Sequence, residues 1–400
     1  MASPNVDPGY SATAALTKIA WDTKLKEESS TGDIFSFSKG IFTESAKQVP
    51  DAVVMTIKGE VGETARTFAM LNRLSGAGLI GAAADLRGSE EIQTTREIKV
   101  FANEWFTGVP VESYGLKNVK QNPYGVYKMA QPQLSLWTKE MVGQKIRQAL
   151  AEYADASLTT AAVGLGVTAA INPNVLVAGT AIPVAYSAIP ATYVSAIEAD
   201  LDADTAGQLT VDVLNKIEAL AASVWEIDPL TIMGKEMWVL TVPTNQKAVL
   251  RTPAALSYFE TLKDADVRGA SNRALSGVLG SYGMLLLVED QRAPKLLHAV
   301  AGTLTFSYKG PGQSDARPDA GVTVADVGFL LGKGAVVEYE IETQHFENEV
   351  QNYGRNKGIG TFQTTGYTRL DYANHSGTPV SGDTDIRCQS SAMILMNSAS

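Results

Sequence analysis

Three histidines, one cysteine and two glycine-rich loops are the side chains and segments of this 400-residue chain best suited to chemistry. His298, His345 and His375 stand far apart, with no HExxH pair and no second histidine one helical turn away, so the spacing that grips zinc is missing. His345 lies in Gln344-His345-Phe346-Glu347, which brings it near a carboxylate but gives it no nucleophile to activate. Cys388 is alone, so the chain has neither an internal disulfide nor a thiolate cluster, and a reducing folding compartment is expected. Asp200, Asp202 and Asp204 alternate along one short stretch, but the glycine and the closing glutamate of a calcium loop are absent.

The first glycine loop, Gly76-Ala77-Gly78-Leu79-Ile80-Gly81, matches GxGxxG letter by letter, and Glu97 follows at the distance of a ribose-binding acid. That fingerprint works only between a strand and a helix whose N-terminus meets pyrophosphate. Asn72-Arg73-Leu74-Ser75 before it is no strand, and the loop is read as the tip of an extended ribbon. The second, Gly328-Phe329-Leu330-Leu331-Gly332-Lys333-Gly334, is one residue short of a phosphate loop and lacks the Ser or Thr that would hold magnesium. It is read as an apolar turn beside a strand over Val336–Ile341. No GxSxG elbow occurs. The sequence therefore predicts no catalytic residue, no cofactor and no metal.

The elements that remain must serve another purpose. With 45% hydrophobic and 19% charged residues the chain has ample material for a core, which excludes wholesale disorder. Its 33 basic and 43 acidic residues give a net charge of -10, and no basic stripe forms, so a protein that grips nucleic acid across a broad face is excluded. The uncharged segment between Asp155 and Glu198 imitates a membrane span, but Asn172-Pro173-Asn174, Pro183 and Pro190 break it, and no membrane insertion is expected. No secretory signal is expected from the N-terminal residues, which lack a basic stretch followed by an apolar core.

Residues 1–50 read as an arm, with a short amphipathic helix around Ala14–Lys26. Ala52–Ile57 and Arg96–Phe106 read as strands flanking a long two-stranded excursion. A ribbon of this kind cannot bury Phe68, Met70, Leu71, Leu79 and Ile80 against itself, and a second copy of the chain is the simplest cover. Residues 133–160 carry the clearest helical stripe, through Leu134, Trp137, Met141, Ile146, Leu150 and Tyr153, with Pro132 suited to the first turn. A second helix spans 210–225, capped by Thr210. Strands follow over Met237–Val242, Met284–Val288, His298–Tyr308, Val336–Ile341, 361–372 and 392–396, with a short helix at Asn245–Leu250. The class is α+β with a mixed sheet.

The order of arm, ribbon, long helix and α+β unit resembles the Johnson fold of tailed-phage major capsid proteins, which encapsulin compartments share. Residues 14–160 are similar to the family typified by coliphage N-four, through Ala52–Ile57, Leu71–Ser75 with its glycine loop, and Arg96–Phe106. A second region, Trp238–Tyr372, matches through Val327–Ala335, Asn352-Tyr353-Gly354, Gly358-Ile359-Gly360 and Gly366-Tyr367. Together they cover about two-thirds of the chain.

The resemblance implies a division into an N-terminal arm (1–50), an extension loop (51–115), a peripheral domain with the spine helix (116–205), an axial domain (206–335) and returning strands (336–400). It implies a structural protein rather than an enzyme, assembled with itself in hexamers and pentamers around packaged DNA, in a virion formed in the host cytoplasm. Portal and scaffolding proteins would be separate partners, because only about fifty residues precede the ribbon and none shows a long heptad pattern. The expected contacts between copies are Phe68, Met70, Leu71, Leu79, Ile80, Trp105 and Phe106. An encapsulin-like shell is the nearest alternative. A nucleotide-binding enzyme resting on Gly76–Gly81 is a more distant one.

Overall fold

Runs such as Leu285-Leu286-Leu287-Val288 and Phe329-Leu330-Leu331 have no polar face to show to water, so as strands they must be covered on both sides. The computed structural model places both runs inside a ten-stranded sheet. It describes residues 53–60, 65–71, 95–111, 126–152, 172, 174–178, 184–185, 207–232, 235–250, 278–298, 304–311, 324–351, 356–369, 372–373, 386–388 and 390–397.

In chain order the elements begin with β1 Val54–Lys58, β2 Ala65–Leu71, β3 Thr95–Phe101, β4 Asn103–Val111 and helix α1 Val126–Glu152. Next come β5 Asn174–Val177, β6 Val184–Ala185, α2 Val211–Ser223, β7 Leu230–Ile232, β8 Lys235–Pro243 and α3 Thr244–Val249. The chain continues through β9 Val278–Tyr282, β10 Leu285–Asp290, β11 Lys295–His298, β12 Leu304–Ser307 and β13 Val324–Leu331. It closes with β14 Val336–Gln351, β15 Asn356–Arg369, β16 Tyr372–Ala373, β17 Ile386–Arg387 and β18 Ser391–Asn397.

The large sheet runs β6-β5-β18-β13-β8-β10-β9, with the β11–β12 hairpin joined through β13, and β7 beside β8. β8 and β10 are parallel, Trp238 opposite Leu285, while β13 is antiparallel to both β18 and β8. On one face Val239, Leu286, Val327, Phe329, Leu331 and Leu395 pack with Ile146 and Leu150 of α1. On the other, Leu240, Leu285, Leu287, Leu330 and Ile394 pack with Leu214 and Ile217 of α2. Alternate residues of each apolar run serve opposite faces, so the two cores are two sides of the same strands. Thr210 caps α2 by accepting a hydrogen bond from the Val213 amide at 3.4 Å, and Asp212 complements the first turn.

The second sheet has the order β1-β14-β15-β4. Its spine is the hairpin of β14 and β15, 16 and 14 residues long, or about 50 Å at about 3.3 Å per residue. β1 lies parallel to β14, and β4 antiparallel to β15. α1 is the shared layer between the sheets. Its 27 residues rise about 40 Å at about 1.5 Å each. Thr138 and Lys145 lie on one side of it, and Glu140 and Arg147 on the other. A helix covered on both sides needs no single apolar stripe.

Four expectations are corrected. α1 begins at Val126, which makes Pro132 its seventh residue rather than part of its first turn. Pro132 is exposed, and its missing N–H costs the helix one i→i−4 bond. The predicted strand Arg96–Phe106 is two strands in different sheets, β3 pairing with β2 and β4 with β15. His298–Tyr308 is likewise not one strand but crosses from β11 to its antiparallel partner β12. Phe329-Leu330-Leu331 belongs to β13, and only residues 332–335 turn, with Gly334 at φ 65 where a side chain would be strained.

Candidate subunit-contact surface

The four-stranded sheet has one face toward α1 and one face outward. Along β15, Ile359, Thr361, Gln363, Thr365 and Tyr367 are buried, while Gly360, Phe362 and Thr364 alternate with them on the other side. At one end of the outer face β3 covers the sheet, Val100 packing with Val337 and Tyr339. Its last residue crosses Gly366 so closely that a Cβ there would stand 1.7 Å from the Phe101 carbonyl oxygen. The chain then turns at Ala102 and joins the edge as β4.

Past that crossing no described element covers the outer face. Register places His345, Phe362 and Phe106 in one row across β14, β15 and β4. Phe106 stacks on Phe362 at 5.9 Å and His345 stacks on the same ring at 6.0 Å. Phe106 is 65% exposed, the most open of the large hydrophobics among the described residues. Of the three rings only Phe106 stands open to water, His345 and Phe362 being half-buried, and covering one exposed aromatic side chain contributes about 1.5–3 kcal/mol. The row is bordered by acids. Glu104 and Glu342 flank Thr364, and Glu347 lies opposite Gly360, beside Gly108. The imidazole Nε2 is 3.4 Å from the Glu347 carboxylate, and Nδ1 is 3.8 Å from Glu342.

The inner face is pinned to α1 at three heights. Thr138 Oγ1 lies 3.5 Å from Thr361 Oγ1, the Lys145 ammonium sits 4.0 Å above the Trp105 ring, and Arg369 donates to the Leu150 carbonyl at 2.7 Å. The last of these caps the helix C-terminus with a fully buried guanidinium, and the Asn172 side chain joins it on the same carbonyl at 3.2 Å. On its opposite side α1 meets the end of β10. Arg147 grips Asp290 through two parallel bonds, Nε to Oδ2 at 2.9 Å and Nη2 to Oδ1 at 2.8 Å, both side chains 2% exposed. Arg292 reaches back from beyond β10 to Glu140.

Burial raises the Glu152 carboxyl above the usual carboxylate range, and the nearby Tyr308 hydroxyl opposes the rise. The Tyr367 phenol is pushed well above its usual value by burial and by Glu338, to which it donates at 2.8 Å.

The expected contact residues separate into groups. Phe68, Met70 and Leu71 lie along β2, opposite Ile98, Arg96 and Thr95 of β3. Leu79 and Ile80, with the whole Gly76–Gly81 loop, lie outside the described residues, as do Asp200, Asp202, Asp204 and His375. Trp105 and Phe106 are neighbours with opposite fates. Trp105 is 7% exposed under α1, so its burial is within its own chain, and Phe106 faces out. Phe362 and His345 complete the row. The sequence reading missed Phe362, whose only signal was alternation along β15. Among the described residues no cluster of three or more His, Cys, Asp or Glu could hold a metal ion, and no helix is long and apolar enough to cross a membrane.

No protein-family model and no curated protein matches the chain. Solved structures do. The capsid of Ralstonia phage GP4 aligns over 90% of both chains with a TM-score of 0.64 at 16% identity. The head structure of Helicobacter pylori bacteriophage KHP40 aligns over 87% of this chain and 88% of its own, at 0.56 and 12%. The cyanophage Pam1 capsid aligns over 90% of both, at 0.54 and 17%. The order of ribbon, long shared helix and two sheets is thus the mixed α+β Johnson fold of phage capsid chains.

Proposed function

We propose that this chain is the major shell protein of a tailed bacteriophage head, working by geometry rather than by catalysis. The observation that supports it most directly is the likeness to three phage capsid chains over nearly the whole length of each. In this reading copies assemble into hexamers and pentamers in the host cytoplasm and enclose DNA in the virion. The net charge of -10 leaves neutralisation of that DNA mainly to counterions. Scaffolding and portal proteins are separate chains. The order of motifs from Ala52 to Phe106 and from Trp238 to Tyr372 favours kinship with the coliphage N-four type. The ribbon around β2 and β3 acts as the extension loop, α1 as the spine of a peripheral domain, and the ten-stranded sheet as the axial domain.

The face that meets a neighbouring copy is the His345–Phe362–Phe106 row. Its acidic rim fits a basic, apolar partner. The ribbon of a second copy supplies one, with the Arg66 side chain exposed and Phe68, Met70, Arg96 and Lys99 in the same two strands.

Negative-stain microscopy with light scattering on the concentrated protein tests the reading. Shells, tubes or capsomer rings are expected from the native chain. Phe106→Ser is expected to leave the melting temperature nearly unchanged, since the ring is exposed, and to abolish or greatly slow assembly. A native chain that stays monomeric at high concentration would overturn the function. Normal assembly by the variant would overturn only the contact surface.

A further inference from the structure

The joint between α1 and the four-stranded sheet is polar where the other cores are apolar. Trp105 and Gln363 are cross-strand neighbours on the inner face. Gln148 stands one helical turn beyond Lys145, whose ammonium covers the Trp105 ring, and before Leu150, which meets Arg369. Gln148 is thus buried on the turn of α1 that follows the one covering Trp105. The three side chains are 7%, 7% and 2% exposed for Trp105, Gln148 and Gln363. Among the described residues, Trp105 Nε1, Gln148 Oε1 and both amide atoms of Gln363 have no hydrogen-bond partner. A buried polar atom left so costs about 1–3 kcal/mol, and several within one layer would not survive in a well-packed joint.

The chemistry of the set selects what satisfies it. Trp105 Nε1 and Gln363 Nε2 are donors, while Gln148 Oε1 and Gln363 Oε1 are acceptors. A metal ion would be faced by N–H groups and by the Lys145 ammonium, and an anion would be faced by carbonyl oxygens. Water alone both donates and accepts. We propose that α1 and the four-stranded sheet enclose an ordered water site whose walls are Trp105, Gln148 and Gln363. About two molecules, each making about three hydrogen bonds, would satisfy the set. The joint is then a wet layer between two dry ones, Ala130 and Leu134 packing on Phe346 and Ile359 at one end, Ile146 and Leu150 in the larger core at the other.

Two measurements test it on the full chain. A crystal or assembled-shell map that resolves ordered solvent is expected to show peaks within about 3.2 Å of at least two of the named atoms. No peak there, or a peak ringed only by oxygens at about 2.4 Å as a hard cation would be, overturns the proposal. The second measurement is the sign of a melting shift. Gln363→Met keeps the length of the side chain and removes its polar atoms. If water satisfies the amide, the variant melts lower. If the layer is dry, removing unsatisfied atoms makes it melt higher, which overturns the proposal.

Discussion

The two sheets of this molecule solve opposite problems. The ten-stranded sheet is sealed between α1 and α2, and its central strands are apolar on both faces. The four-stranded sheet is built from Thr, Gln, Gly and Glu, carries polar groups against α1, and leaves an aromatic row facing out. A strand that is covered on both sides contributes mainly to stability. A strand with one open face, held rigid by the helix behind it, can meet another molecule without rearranging first. On the proposed reading, folding falls to one sheet and contact to the other.

The sharpest way to break this comparison is to truncate one phenylalanine in each sheet. Phe329→Ala, in the sealed core, is expected to cost about 3–5 kcal/mol. Phe362→Ala, on the open face, is expected to cost about 1 kcal/mol and to weaken assembly instead. Similar losses in urea unfolding would erase the distinction.

The ion pair that ties α1 to β10 comes next. Arg147→Met alone leaves Asp290 buried without its guanidinium and is expected to cost about 3–5 kcal/mol, whereas Arg147→Met with Asp290→Leu is expected to recover most of it. A double variant as unstable as the single would mean that the pair itself, and not the orphaned charge, carries the stability.

Gly366→Ala should lift β3 off the outer face, at about 1–3 kcal/mol, because the added methyl meets a backbone oxygen. Faster proteolysis across residues 95–101 would report it, and native protection would show that the crossing is loose.

The smallest effect is at Glu152. Burial raises its folded-state value above the unfolded one, so the ionised carboxylate subtracts from stability at neutral pH. That loss disappears as pH falls from the raised value to the ordinary carboxylate range. Glu152→Gln is therefore expected to melt slightly higher at neutral pH, by less than about 1 kcal/mol, with the gap closing on acidification. A gap independent of pH would place its origin elsewhere.

The sealed sheet was legible because its chemistry is local. Met237–Val242, Met284–Val288 and 392–396 are apolar runs of strand length, and Thr210 with Asp212 announces α2. The open sheet was half legible. Arg96–Phe106 has continuous β-forming composition, and nothing in it marks Ala102 as the point where the chain leaves one sheet for another. Trp105 and Phe106 are adjacent aromatics of equal appeal. Only the pairing of β4 with β15 decides which turns inward, and pairing is a long-range property. Arg147 and Asp290 are 143 residues apart, and each reads in sequence as an ordinary surface charge. The Johnson fold was legible through the order of its elements rather than through any one motif.

The long hairpin also has a mechanical grain. In antiparallel strands the hydrogen bonds lie across the strand direction. Tension along β14 and β15 therefore shears many of those bonds at once, over nearly the whole length from Val336–Arg369 to Gln351–Asn356. Tension across the hairpin peels them singly, like a zip. The same sheet is stiff in one direction and yielding in the other, so the strength of any wall made from it depends on how its strands are laid.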